Sequence, residues 1–225
     1  MSIYSIEGNI GSGKSTLVKM MKEQTSNVVF VQEPVDVWNT IKDNNNETIL
    51  EKYYKNQEKY AFSFQIMAYI SRISILRKTI KKNPNAIIIT ERSVLTDKNV
   101  FAKMLYDDKK IEEINYKIYL QWFDEFIEEL PIAGIIYVKA TVDVCFSRIN
   151  KRNRKGELIP IEYLKNCNKY HNDWLHNDWL DNEKNIMVLN ADEDKEYTVE
   201  NYNEWIIAIK KFIDIPIVSR MSKIE

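Results

Sequence analysis

Cysteine is scarce in this 225-residue chain, which carries only Cys145 and Cys167. The two make no C-x-x-C pair and no metal-ligand spacing. That excludes a disulfide framework and leaves buried or half-buried free thiols in a reducing compartment. A charge excess is missing too. Lys+Arg 32 against Asp+Glu 33 leaves a net charge of −1, so no global attraction draws the chain to nucleic acid or to an anionic membrane, and neither is expected as a partner. No apolar run approaches the length of a membrane span. The first strand-like run starts at residue 2, so no signal or transit peptide is expected, and the expected location is cytoplasmic. Internal repeats and interdomain linkers are absent. The Asn-rich stretch from Asp43 to Glu47 is too short for a low-complexity domain and reads as an exposed loop. The length suits one α/β domain over residues 1–225.

Glycine is also rare, but three of the five glycines stand at 8, 11 and 13. Gly8-Asn9-Ile10-Gly11-Ser12-Gly13-Lys14-Ser15-Thr16 fits G-x-x-x-x-G-K-[ST], the phosphate-binding P-loop. The glycines let the backbone turn so that several N–H groups point into one anion-sized concavity, and the following helix adds the positive end of its dipole. Lys14 can then reach the outer phosphates and the Ser15 hydroxyl can ligate Mg²⁺. The context agrees: Ser2 to Ile6 alternates like a strand, and Leu17 to Glu23 reads as a helix. A P-loop names a ligand class and leaves the reaction open.

Four further apolar runs read as buried parallel strands: Val28 to Gln32, Ala86 to Thr90, Gly134 to Val138 and Ile186 to Leu189. Helical patterns lie between them, the longest from Lys59 to Lys81 before Asn83-Pro84-Asn85, another from Asn115 to Leu130 before Pro131. This alternation predicts a doubly wound, five-stranded parallel sheet flanked by helices. The tail after Pro216 carries no placeable pattern. Open α/β sheets bind ligands at the carboxyl ends of their strands, and three strands here end in an acid, at Glu7, Glu33 and Glu91.

Glu91 closes an apolar strand and is followed by Arg92-Ser93, which suits either an acid that holds Mg²⁺ beside Ser15 or a strand-end salt bridge. Glu33, fixed before Pro34, is placed to take a proton from a substrate hydroxyl, or else is an exposed strand-end acid. Trp38 suits the core or a wall for a flat ligand. Arg148 and Arg152 share a helix face at i,i+4, and Arg154 lies just beyond it with Gly156 behind. The cluster suits a lid over phosphates, or a solvated basic helix end. On a helical period Gln65, Ala68 and Arg72 share one face. An arginine on an otherwise apolar helix needs a partner, for which Asp97 is a candidate.

Taken in order, Gly8 to Thr16, Glu33-Pro34-Val35 with Trp38, Tyr60 to Arg72 (YAFSFQIMAYISR), Glu91-Arg92-Ser93 through Asp97, and Arg148 to Glu157 with Ile161-Glu162-Tyr163-Leu164 resemble the deoxynucleoside kinase family, the group of deoxycytidine, deoxyguanosine and mitochondrial thymidine kinases. The resemblance runs from residue 3 to about residue 175 and is thin beyond residue 190. It implies a P-loop kinase fold with an Arg-rich lid at about 148–160. It further implies transfer of the γ-phosphate of ATP or another NTP, with Mg²⁺, to the 5′-hydroxyl of a deoxynucleoside in nucleotide salvage, by a homodimer packed through helices such as Lys59–Lys81.

By the same resemblance, Glu33 is the general base, assisted by Arg92, and Glu91 coordinates Mg²⁺ with Ser15. Gly8, Asn9, Ile10, Gly11, Ser12, Gly13, Lys14, Ser15 and Thr16 hold the NTP, under a lid bearing Arg148, Arg152 and Arg154. Trp38, Phe64 and Phe101 line the base pocket, Gln65 makes paired hydrogen bonds to the base edge, and Tyr54 and Glu157 hold the sugar 3′-hydroxyl. Ala68, Arg72 and Asp97 together mark relatives that act on deoxycytidine or purine deoxynucleosides rather than thymidine. Two departures stand out. The run from Arg154 to Pro160 is one residue short, which bears on Glu157, and Tyr53 is bulky enough to narrow the base pocket.

A thymidylate kinase shares the fold, the P-loop and a strand-end Glu-Pro, but needs an Asp-Arg-aromatic motif and a basic site for the acceptor's phosphate, where Glu91-Arg92-Ser93 stands instead. A GTPase switch needs an Asn-Lys-x-Asp guanine reader; Asn150-Lys151-Arg152-Asn153 lacks the acid.

Overall fold

The computed structural model describes residues 1–154, 157, 159–180, 182, 185–192 and 199–214. Lys155, Gly156 and Leu158 of the expected lid, and the segment after Pro216, fall outside them.

Five strands form one all-parallel sheet: β1 (Ser2–Glu7), β2 (Val28–Val31), β3 (Ile87–Glu91), β4 (Ile132–Lys139) and β5 (Ile186–Asn190), in the order β2-β3-β1-β4-β5. β1 lies at the centre because Ile3, Tyr4 and Ile6 are buried and both of its edges are paired. Helices cover both faces, as the near-continuous apolar strands require. On one face α1 (Lys14–Gln24) packs Leu17, Val18 and Met21 with Tyr202, Ile206 and Ile209 of α10 (Val199–Asp214) and with Cys145 of α8 (Val142–Arg152). On the other, Tyr69, Ile73 and Leu76 of α4 (Gln57–Lys82) meet Tyr119 and Phe123 of α7 (Glu113–Ile127). Both cysteines are buried and free.

The remaining described elements are α2 (Val35–Trp38), α3 (Ile49–Lys55), α5 (Val94–Thr96), a π-helical turn (Asp97–Ala102), α6 (Lys103–Asp107), α9 (Ile161–Leu175) and a second π-helical segment (His176–Leu180). Thr48 and Glu51 form a capping box that starts α3. The Asn-rich loop is tightly drawn: Asp43 accepts from the backbone N–H groups of Asn45 and Glu47 and pairs with Lys52 at 2.6 Å. Among the described residues no helix is long and apolar enough to cross a membrane.

Candidate active site

The carboxyl ends of β1, β2 and β3 open into one cleft of about 560 Å³. Ile10, Gly11, Gly13, Lys14, Ser15 and Thr16 line one half of it; Trp38, Tyr54, Phe64, Gln65, Ala68, Asp97 and Phe101 line the other, with Glu33, Glu91 and Arg92 between. Arg148, Arg152, Arg154 and Glu157 sit at the rim. Gly8, Asn9, Ser12 and Arg72 do not line the cleft, but hold those that do.

The P-loop is shaped by close packing from behind. Gly8 has φ +145°, and a Cβ there would stand 2.4 Å from the Val138 carbonyl oxygen. Asn9 is buried and donates through Nδ2 to the Leu164 carbonyl at 3.0 Å, which ties the loop to α9. Lys14 Nζ donates to the Asn9 carbonyl at 2.6 Å. Burial, reinforced by Arg92, lowers the Lys14 ammonium to about 7. Arg148 donates to the Ser12 carbonyl at 3.2 Å and to the Ala191 carbonyl at 3.0 Å, and so braces the loop against the end of the sheet.

Of the three strand-end acids, Glu33 and Glu91 line the cleft and Glu7 does not. Glu7 is fully buried and accepts from the Ser93 N–H at 2.9 Å, the Ser93 hydroxyl at 2.7 Å and the Thr96 hydroxyl. Three donors turn it inward, where it fixes the chain that follows β3. That turn carries Arg92 at φ 61°, a left-handed conformation rare for a non-glycine residue and common at functional sites. Glu91 accepts from the Ser15 hydroxyl, so two side-chain oxygens meet beside the P-loop. The described residues contain no cluster of three His, Cys, Asp or Glu side chains suited to a metal. Mg²⁺ seldom uses such a cage; it takes one or two protein oxygens together with phosphates and water, and the Ser15–Glu91 pair fits that demand.

Glu33 lies at the junction of the two halves. Its carboxylate accepts from Arg92 Nη1 at 2.9 and 3.1 Å and from Arg72 Nη2 at 3.1 Å. Burial pushes this carboxyl up, but Arg92, Arg72 and Lys14 outweigh it and hold it at about 2. Arg72, expected to pair with Asp97, donates to it from Nε at 2.9 Å and also to the Glu91 carbonyl at 2.9 Å. One buried guanidinium thus ties α4, β3, the β2 end and the π-helical turn together. For Asp97 burial wins, and its carboxyl is pushed up to about 6 against the pull of Arg72.

The π-helical turn widens the helix by one residue where Asp97 and Phe101 enter the cleft, a frequent device at functional sites. Arg92 lies over the Phe101 ring, 5.2 Å from its centre. Gln65 is 2 % exposed, and its Oε1 has no hydrogen-bond partner among the described residues. A buried amide oxygen left unpaired costs about 1–3 kcal/mol, which a donor on a ligand would recover. At the rim, Glu157 accepts from Arg152 Nη2 at 2.5 Å, with Arg154 Nη1 at 3.9 Å. Tyr53 and Tyr163 also line the cleft, with their hydroxyls 2.8 Å apart. The T-x-x-E pattern at Thr48-Glu51 is a local signal, not used above, for the helix that carries Tyr53 and Tyr54; nothing local announces the contact with Tyr163.

A P-loop facing a carboxylate held between arginines, with an aromatic-walled pocket beyond, is the site of a two-substrate phosphotransferase. The chain belongs to the deoxynucleoside kinase family, whose sequence model matches residues 4–214. It is similar to deoxycytidine kinase of Homo sapiens, 31% identical over 234 residues covering 93% of this chain and 90% of that protein. It is 36% identical over 195 residues to the probable deoxycytidine kinase of Fowlpox virus (strain NVSL), covering 84% of this chain and 79% of that protein. Mitochondrial deoxyguanosine kinase of Xenopus laevis is 30% identical over 234 residues, 93% of this chain and 88% of that protein. The activity is that of a deoxynucleoside kinase, a phosphotransferase with an NTP as donor.

Proposed function

We propose that the chain transfers the γ-phosphate of ATP or another NTP to the 5′-hydroxyl of deoxycytidine or a purine deoxynucleoside, with Glu33 as the group that receives the hydroxyl proton. The observation that carries this reading is the carboxylate of Glu33 between Arg72 and Arg92, at the meeting point of the P-loop half and the aromatic half. An acid held near 2 is ionised at any working pH but is a weak base. It suits a loose phosphoryl-transfer step, in which the hydroxyl is oriented first and gives up its proton late.

The P-loop and Lys14 hold the phosphates. Ser15 and Glu91 would hold Mg²⁺, which neutralises charge on the transferring group when bound. Residues 148–160 act as the lid of a single domain, with Arg152 and Arg154 free to exchange Glu157 for phosphate oxygens and Arg148 as the brace at its base. Tyr54 and Glu157 face the sugar. Phe64 and Phe101 flank the base beside Trp38 and Ala68, and Gln65 pairs with its edge through one acceptor and one donor. The buried Arg72–Asp97 ion pair is a poor neighbour for the methyl group of thymine, which favours the other bases. Both guanidiniums of this half are engaged by carboxylates, which argues against a monophosphate acceptor and hence against a thymidylate kinase.

A homodimer and a cytoplasmic location complete the proposal. Exposed Ile114, Ile118 and Trp122 recur at every fourth residue of α7, and Ile70 is exposed on α4, an apolar face suited to a second copy. The whole is tested by a four-deoxynucleoside phosphorylation panel with ATP and a second NTP as donors. Deoxycytidine or a purine deoxynucleoside should be used at least tenfold better than thymidine, a ratio worth about 1.4 kcal/mol. Equal kcat/KM for thymidine would refute the base assignment.

A further inference from the structure

Four aromatic side chains, Trp38, Tyr53, Phe64 and Tyr163, line the cleft together with Gln65, and each is held by a neighbour. Trp38 Nε1 donates to the Ser71 hydroxyl at 2.9 Å. Phe64 is clasped between Tyr53, stacked at 4.5 Å and 17°, and Trp38, edge-on at 5.5 Å and 75°. Tyr53 itself is 1 % exposed, and its hydroxyl lies 2.8 Å from that of Tyr163. Tyr163 is fixed in turn, on the first turn of α9, where the neighbouring Leu164 is fully buried and its carbonyl accepts from Asn9. Tyr53 therefore cannot swing aside without losing a stacked ring and a hydrogen bond that spans two helices. Burial raises both phenols well above their ordinary value, so the pair stays neutral and intact.

A deoxynucleoside must span two fixed points in this cleft. Glu33, locked by two arginines, takes the 5′-hydroxyl, and Gln65, on the rigid α4, takes the base edge. In a pyrimidine the six-membered ring joins the sugar directly. In a purine the five-membered ring lies between, and the hydrogen-bonding edge stands further from the sugar. The longer base needs room in a pocket whose wall includes these pinned rings. We infer that the Tyr53–Tyr163 pair makes the pocket selective for single-ring bases, so that deoxycytidine is used far better than any purine deoxynucleoside; this rests on the proposed base pocket and narrows it.

The test is kcat/KM for deoxycytidine, deoxyguanosine and deoxyadenosine in the full chain and in three variants. The unaltered chain should favour deoxycytidine by roughly 10–200-fold or more, the range that modest size differences command in a tight pocket. Tyr53→Met replaces a pinned ring with a narrow, flexible side chain. It should raise the purine kcat/KM and lower the preference about tenfold. Tyr163→Phe keeps every ring and removes only the pin, so it should move the ratio the same way by less. It also reads the inference should Tyr53→Met fold poorly. Equal use of deoxycytidine and deoxyguanosine by the unaltered chain overturns the inference, as does a ratio that falls only because deoxycytidine use falls. Gln65→Leu separates the two levels and should weaken all three substrates. If it leaves them untouched, the proposed base pocket fails and this inference with it; if it weakens them while Tyr53→Met and Tyr163→Phe leave the ratio unmoved, only the inference fails.

Discussion

The two halves of the cleft are built by different means. The donor half is mostly backbone: one unbroken stretch from Gly8 to Thr16, wedged against Val138, tied to α9 by Asn9 and braced by Arg148. The acceptor half is side chains, with Glu33, Arg72, Arg92 and Asp97 drawn from four separate segments into one nearly buried ionic network. A backbone cradle depends on local conformation. A buried ionic network depends on every member being present, because removing one strands the charge of another.

The largest effect is therefore expected at Arg72. Arg72→Met should destabilise the fold by about 3–5 kcal/mol in denaturant unfolding, and Asp97→Asn in the same chain should recover part of it. Without its partner Asp97 has a folded-state pKa still further above its unfolded value. That penalty is present at high pH and relieved as pH falls through the folded value, so the deficit should be smaller at pH 5 than at pH 8. A deficit independent of pH would separate Asp97 from the network.

Lys14→Met should lower kcat by about 10²–10³-fold, as loss of one charge-stabilising donor does, and leave deoxynucleoside binding nearly unchanged. Equal damage to both substrates would erase the distinction between the halves. A smaller effect is expected from pH. The Lys14 ammonium, lowered to about 7 by burial, regains its proton when polyphosphate binds. NTP binding should then take up a proton, and affinity should weaken by up to about tenfold per unit as pH rises above 7. Calorimetry in buffers of different ionisation heat detects this. The smallest effect belongs to the rim. Arg152→Ala breaks a partly exposed pair with Glu157 and should cost at most about 1 kcal/mol of stability, while raising KM for the NTP.

What the sequence made legible follows the same division. The P-loop is readable because its phosphate-facing groups come from one unbroken stretch, Gly8 to Thr16, even though distant residues brace it. The Arg72–Asp97 pair was readable because a buried arginine demands an acid. Glu7 ends a strand as Glu33 and Glu91 do, yet it turns away from the cleft, and the hydroxyls of Ser93 and Thr96 that turn it are 86 and 89 residues away. The left-handed turn at Arg92 and the Tyr53–Tyr163 contact depend likewise on long-range packing. By contrast α10 was legible in principle, since Tyr202, Ile206, Ile209 and Ile213 follow the helical period.

The account stands most directly on Glu33. Its replacement by Gln keeps the shape and removes the charge, so kcat and the equilibrium Kd for deoxycytidine measured on the same preparation decide its role. The account predicts a fall in kcat of about 10²–10⁴-fold with Kd held within about threefold. An unchanged kcat, or a loss confined to Kd, would contradict it.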